Sequence, residues 1–288
     1  MVACTPHAGL GTVSVPERPA LVRRVDLSTC RTSSTHLKVQ PSASGAHLVV
    51  TRTGATGRQS IVVGARVVYS VRESYRRIPG GTPGPIELFD SVDGGRWILF
   101  AIDPMSSQSL AADGLAMRVV SSRGGRVYPV AFGLPEPDYR TWCGGRLVLV
   151  AGGDRIATHN KWLVATGPPD WKPRVIAKSP RRAYGSLACA PDGRSIVVES
   201  APASGPNMNV HAHWSLARVG LDGSQRLLTS PPAGLSDESP QVAGDTVYFV
   251  RGGRLYALAG RKLLGPLLRL PPTDAYYGHR VWPYGVSR

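Results

Sequence analysis

Apolar residues in this chain fall into short unbroken runs, each opened by a glycine. The instances are Gly45-Ala46-His47-Leu48-Val49-Val50, Gly95-Arg96-Trp97-Ile98-Leu99-Phe100, Gly145-Arg146-Leu147-Val148-Leu149-Val150, Gly193-Arg194-Ser195-Ile196-Val197-Val198 and Gly244-Asp245-Thr246-Val247-Tyr248-Phe249. The glycines are 50, 50, 48 and 51 residues apart. Runs this short, too short for buried helices and bounded by turn formers, read as central strands.

Each run sits in the same local context. A short strand precedes the glycine, as in Pro85–Phe89 or Tyr184–Cys189, and a loop and a hairpin follow the run. In the fourth unit the hairpin is Trp214–Val219, a turn at Leu221-Asp222-Gly223-Ser224, then Gln225–Leu228. The Asp-Gly pair supplies the positive φ that a tight hairpin needs. Four strands per repeat of about 50 residues is the pattern of β-propeller blades. Leu21–Arg31 matches a hairpin that lacks its innermost strand, and Ala275–Trp282 is a strand-like segment with no hairpin after it. Pairing Tyr276–Trp282 with the N-terminal strands completes a sixth blade, formed from about residues 1–35 plus 273–288, and leaves no open edge. Six blades are favoured over five or seven, in an all-β single domain spanning 1–288.

The fourth unit, Ser186-Leu187-Ala188-Cys189-Ala190-Pro191-Asp192-Gly193-Arg194, resembles the blade motif of TolB-like six-bladed β-propellers, a WD-type repeat family. Ser91-Val92-Asp93-Gly94-Gly95-Arg96 and Asp237-Glu238-Ser239-Pro240 are looser copies. The run through Tyr139, Trp142-Cys143, Pro168-Pro169-Asp170-Trp171 and Tyr277-Gly278-His279 is similar to uncharacterised proteins of high-GC Gram-positive bacteria. The resemblance implies a non-catalytic, extracytoplasmic, protein-binding propeller and no particular ligand.

Charge modifies this picture only slightly. The 288 residues carry a net charge of +15, but the excess comes from 29 Arg against 5 Lys, the bias of a GC-rich coding sequence. The basic residues are spread singly for the most part, the densest spots being Arg23-Arg24, Arg76-Arg77 and Arg181-Arg182. A nucleic-acid binder would gather them on one element, so nucleic acid is disfavoured and an anionic envelope polymer or a protein is the expected partner of a monomer. No apolar run is long enough for a transmembrane helix.

Catalytic signatures are sparse. The chain has no G-x-S-x-G elbow and no phosphate-binding glycine loop, and Ser91-x-Asp93-x-Gly95-Arg96-Trp97 is one residue short of a sialidase-type turn. His211-Ala212-His213 could present two ligands on one side of a strand, but no third lies near in sequence. No metal or cofactor is expected, and His279 reads as a channel-lining residue. The long loops share one face of the ring. On them Tyr75, Arg76, Arg77 and Trp171 combine the aromatic and Arg character of interface anchors. The expected function is a binding or scaffold propeller of the cell envelope. The alternative is a carbohydrate hydrolase or lyase with Asp103, Glu199 or Asp274 converging at the channel mouth.

The cysteines bear on the compartment. Cys4 and Cys30 both belong to the short-turn face of the closing blade, and Cys143 and Cys189 both end innermost strands of neighbouring blades. Cys4–Cys30 and Cys143–Cys189 are therefore the sensible pairs, with buried free thiols as the alternative for the second. Disulfides would require an oxidising compartment. The N-terminus shows no signal sequence, though Met1-Val2-Ala3-Cys4 resembles the end of a lipoprotein signal, which would make Cys4 a lipidated residue instead.

Overall fold

The computed structural model describes residues 4–18, 21–36, 45–53, 56–71, 75–76, 86–103, 113–206, 212–275 and 277–287. Strands β1 (Thr12–Arg18), β2 (Leu21–Asp26) and β3 (Thr32–His36) open the chain. Blade 1 holds β4 (Ala46–Thr53), β5 (Thr56–Val63), β6 (Arg66–Ser70) and the two-residue β7 (Tyr75–Arg76). Blade 2 is β8 (Ile86–Val92), β9 (Trp97–Ile102), β10 (Leu115–Ser121) and β11 (Val127–Gly133). Blade 3 is β12 (Arg140–Cys143), β13 (Arg146–Ala151), β14 (Trp162–Thr166) and β15 (Arg174–Ala177). Blade 4 is β16 (Arg182–Cys189), β17 (Ser195–Pro202), β18 (Ser215–Gly220) and β19 (Gln225–Leu227). Blade 5 is β20 (Asp237–Ala243), β21 (Thr246–Arg251), β22 (Arg254–Ala259) and β23 (Lys262–Arg269). A final strand, β24 (Gly285–Ser287), joins the first three in the order β24-β1-β2-β3. The result is a six-bladed antiparallel β-propeller, closed by pairing its C-terminal strand with its N-terminal ones.

The unbroken apolar runs follow from packing on both faces of a blade. In β9, Ile98 and Phe100 join the core shared with blade 1, while Leu99 joins that of blade 3. In β13, Leu147 and Leu149 face blade 2, and Val148 and Val150 face blade 4. In β21, Val247 and Phe249 pack on blade 4, while Tyr248 and Val250 pack on the closing blade. Because strand side chains alternate between faces, every residue of such a strand must be apolar. The closing blade departs from this. Val13, Val15, Val25 and Leu27 pack on blade 5, and none of the described apolar cores lies on its other face.

Two expectations require correction. The closing strand is Gly285–Ser287, paired as Thr12↔Ser287, Val13↔Val286 and Ser14↔Gly285, and not Tyr276–Trp282. Residues 277–284 instead run over the centre, where His279, Trp282 and Tyr284 are buried. The first repeat is also out of phase. The run after Gly45 forms β4, which ends the sheet order β4-β5-β6 and packs beside β8, an innermost strand. It therefore occupies the first place in its blade, not the second.

Turns at the narrow ends bring blades into contact. Asp192 Oδ1 accepts from the backbone N–H groups of Arg194 (2.8 Å) and Ser195 (3.1 Å), and Gly193 takes φ 62° to complete the turn. The Gly144 turn of blade 3 lies directly against it, so closely that a Cβ on Gly144 would overlap the Gly193 carbonyl oxygen.

Candidate functional site

Two innermost strands carry matching bulges. The register of β16 against β17 shifts between Tyr184 and Leu187, and that of β20 against β21 shifts between Glu238 and Gln241. A bulge leaves backbone groups unpaired and re-aims side chains. Here the freed N–H groups of Ser186 and Ser239 both donate to Glu199, at 3.0 and 2.7 Å. Glu199 is 0 % exposed and springs from β17. One carboxyl group thus ties blade 4 to blade 5 at the hub. Burial pushes its pKa up to about 8, against the pull of His279 and the Ser239 N–H.

The segment 277–284 runs over this hub and is bonded to three blades. The Ala157 N–H of blade 3 donates to the Tyr277 carbonyl (3.0 Å), and Trp214 Nε1 donates to that of Gly278 (3.1 Å). Ser239 Oγ donates to the Arg280 carbonyl (3.2 Å) and accepts from the Trp282 N–H (3.0 Å). Trp282 Nε1 donates to Glu238 (2.7 Å), and Tyr284 Oη donates to the Ser239 carbonyl (2.6 Å). Burial raises the Glu238 pKa, opposed by the Trp282 bond.

His279 forms the centre of this seam. Its Nε2 lies 2.9 Å from Ser186 Oγ and 2.9 Å from Asp138 Oδ2, and the Ser186 hydroxyl donates to the same Asp138 oxygen. Asp138 belongs to a single 3-10 turn, Pro137–Tyr139, just before β12. Burial disfavours both ions, but their mutual attraction outweighs it. The pKa of Asp138 is therefore lowered and that of His279 raised, with Glu199 and Glu136 adding to the latter. Tyr139 backs the imidazole, with ring centroids 4.5 Å apart.

The trio Ser186, His279 and Asp138 is not a nucleophilic relay. A relay needs the acid on one ring nitrogen and the serine on the other, so that a proton can pass from Ser to His. Here both partners share Nε2, and the hydroxyl proton points at the carboxylate. Ser186 and His279 are also only 1 % and 7 % exposed. The arrangement holds a charged pair in place and docks the C-terminal segment.

Most other polar groups described around the hub are similarly occupied. Arg155 forms a two-pronged pair with Asp113 (2.7 and 2.6 Å) and lies over the Tyr277 ring. Asp154 holds His159 at 2.7 Å. Lys161 Nζ donates to the carbonyls of Gly153, Asp154, Ile156 and His159 at 2.6–3.1 Å. Burial lowers its pKa to about 8, against Asp154 and Glu136. Glu136 Oε2 and Asp138 Oδ1 are buried acceptors with no protein partner.

The anchors expected from sequence are dispersed. Tyr75 and Arg76 form β7, paired with Gly57 and Thr56 of β5, while Arg77 lies outside the described residues. Trp171 is not an interface anchor. It is 1 % exposed and packs edge-on to Trp97 (5.0 Å) and against Trp142 (6.3 Å) in the core of blades 2 and 3. Its loop folds inward because an indole gains more by burial there than by exposure. Cys4 and Cys30 are bonded, Cα atoms 5.8 Å apart, as are Cys143 and Cys189 at 5.3 Å. The second bond links blades 3 and 4. The first links the closing blade's turn to a segment bridged to Leu268 of β23.

Of the three acids singled out for catalysis, only Glu199 is at the hub. Asp103 is buried near Glu87, whose pKa it helps burial to raise, and Asp274 is exposed. His213 is exposed and His211 lies outside the described residues. Among the described residues, no three His, Cys, Asp or Glu side chains could hold a metal ion, and no helix is long and apolar enough to cross a membrane. Sequence reasoning missed Asp138, Ser186, Glu238 and Ser239. The available signal was a Gly at 185 and a Pro at 240, both interrupting inner strands and so marking bulges.

No protein-family model and no curated protein matches the chain. Among solved structures it is similar to puromycin hydrolase, with 13 % identity and a TM-score of 0.50 over 95 % of this chain and 54 % of that one. This chain thus spans about half the length of that enzyme. It is also similar to a putative TolB from Agrobacterium tumefaciens (13 %, TM-score 0.47, 91 % and 90 % covered). A third is an oligogalacturonate lyase solved with manganese (12 %, TM-score 0.45, 96 % and 85 % covered). At such identities the likeness concerns the fold alone.

Proposed function

We propose that this chain is a non-catalytic binding propeller of the cell envelope, which recognises a protein partner or an anionic envelope polymer through its long-loop face. The observation that carries this reading is the bonding of Ser186 and Asp138 to a single nitrogen of His279 beneath the C-terminal segment. Among the described residues, the grouping that most resembles catalytic machinery is thereby committed to holding the fold. Most of the remaining polar groups described at the hub bond within a blade or between blades, as Lys161 does with the carbonyls around it and Arg155 with Asp113. The net charge of +15 favours acidic partners, and two disulfides suit an oxidising compartment. Loops on a rigid ring are the usual place for recognition.

The test compares wild type with Tyr75→Ala/Arg76→Ala/Arg77→Ala for retention on an isolated envelope fraction. The triple variant should lose at least tenfold in binding with an unchanged melting temperature. Equal binding would remove this loop from the interface. Turnover of glycan or ester substrates by wild type, abolished in Ser186→Ala, would overturn the non-catalytic reading.

A further inference from the structure

Near its turn end the face of the closing blade turned away from blade 5 is polar, whereas the five other blade junctions described are apolar; farther along, the same face carries Pro16 and the buried Val22. A row runs straight across its four strands: Gly285 beside Ser14, Ser14 beside Arg24, Arg24 beside Ser33. The next row holds Ser287, Thr12 and Asp26, with the Asp26 N–H bonded to the Arg31 carbonyl (2.9 Å). These rows line a groove of about 580 Å³ that reaches Gln241 of blade 5 at its inner end. Gly285 places no side chain in it.

The charges in this groove are unequal in availability. The Asp26 carboxylate is consumed by its own turn, accepting from Ser28 N–H (2.8 Å), Ser28 Oγ (2.6 Å) and Thr29 Oγ1 (2.8 Å). Its pKa is lowered by those hydroxyl and N–H bonds, Ser28 first. Arg24 and Arg31 are exposed, and neither guanidinium has an ion-pair partner among the described residues. They are rooted in adjacent rows, roughly 7 Å apart by the two-residue rise of a strand. The rest of the lining is mostly hydroxyl and amide: Thr12, Ser14, Ser33 and Gln241. No aromatic side chain among the described residues lines the groove, so these residues offer no stacking platform of the kind that single-stranded nucleic acid requires.

We propose that this groove binds an extended anionic polyhydroxyl chain, with Arg24 and Arg31 on successive phosphate or carboxylate groups and the hydroxyl side chains on its polyol portion. The site is separate from the loop face. It lies at the turn end of the closing blade, next to Cys30.

Poly(glycerol phosphate) and polygalacturonate are titrated into the full chain, with neutral dextran as control. Wild type should bind at least one of the two polyanions and not dextran; the one it prefers identifies the anionic group. Arg24→Ser/Arg31→Ser should weaken that binding at least tenfold. Arg254→Ser/Arg261→Ser removes the same charge at exposed positions outside the groove and should change it less than twofold. Ser33→Trp, which fills the groove without altering charge, should reproduce the loss. The Tyr75/Arg76/Arg77 triple variant should bind the polymer normally, which separates this site from the loop face. Absence of polyanion binding, or equal losses in the two double-arginine variants, would overturn the proposal.

Discussion

Replacing Glu199 by Gln tests whether one buried carboxyl couples the hub to pH. The folded-state pKa of Glu199 is about 8 against an ordinary 4.5, and each pKa unit is worth about 1.4 kcal/mol. The sign follows from linkage: a carboxyl with a raised folded pKa contributes stability that is full below pH 4.5 and lost as pH rises toward 8. The loss amounts to about 5 kcal/mol by pH 9, on the order of half a small domain's stability. His279, whose pKa is also raised, loses its contribution in the same direction. Glu199→Gln cannot ionise, so it escapes its own part of this loss. It keeps one acceptor but turns an amide N–H toward a bulge N–H, leaving a buried donor unsatisfied at a cost of about 1–3 kcal/mol. The variant should therefore be less stable than wild type at pH 5, and the two stability curves should cross between about pH 5 and 7, according to that cost. Urea denaturation from pH 5 to 9, followed by tryptophan fluorescence with Trp214 beside the site, measures both curves. Parallel curves, separated by a constant difference across that range, would refute this account of Glu199.

Four further outcomes follow from the same geometry. Gly185→Ala should destabilise by about 2 kcal/mol or more, because a Cβ there collides with Glu199 Oε2 and presses on Trp214; chemical denaturation reads it. Trp171→Ala should cost about 3–5 kcal/mol as a core truncation, read by thermal melting, while partner binding at permissive temperature is unchanged. Cys143→Ser/Cys189→Ser opens a link with a sequence separation of 46 and should cost up to about 4 kcal/mol by loop entropy, seen in urea midpoints under non-reducing conditions. Deleting residues 275–288 removes β24 with His279, Trp282 and Tyr284, and should abolish cooperative unfolding in calorimetry.

The blade pattern was legible because strands packed on both faces leave a continuous apolar signal, as in Ile196-Val197-Val198. It misled at the first unit, where the spacing from Gly45 to Gly95 agrees with the repeat although β4 occupies a different place in its blade. Tyr276–Trp282 reads as a strand from its apolar and aromatic residues, but among residues 277–282 only His279 and Trp282 are buried, and the backbone bonds go to Ala157, Trp214 and Ser239. Periodicity reports burial and does not report partners. The hub was illegible for a related reason: Asp138, Ser186, Glu199 and His279 are brought together by bulges and by ring closure, which no local pattern encodes. Trp171 follows Pro168-Pro169-Asp170, a turn signature that argues for the surface, yet a pocket between Trp97 and Trp142 captures it.

The sheet β24-β1-β2-β3 is assembled from both ends of the described chain, and this sets an order of events during synthesis. Blades 2 to 5 are each built from consecutive strands, so each can pair its own strands as soon as its residues emerge. The first hairpin, though made earliest, must wait with its inner edge unpaired until residues 285–287 arrive. Until blade 5 is made, Val13 and Val15 have no neighbour to cover them, and through the whole interval the nascent protein presents an open strand edge of the kind that chaperones bind and neighbouring chains capture. Completion of the ring is then a late, long-range step, and the rate of folding should depend more on that one encounter than on the five blades between.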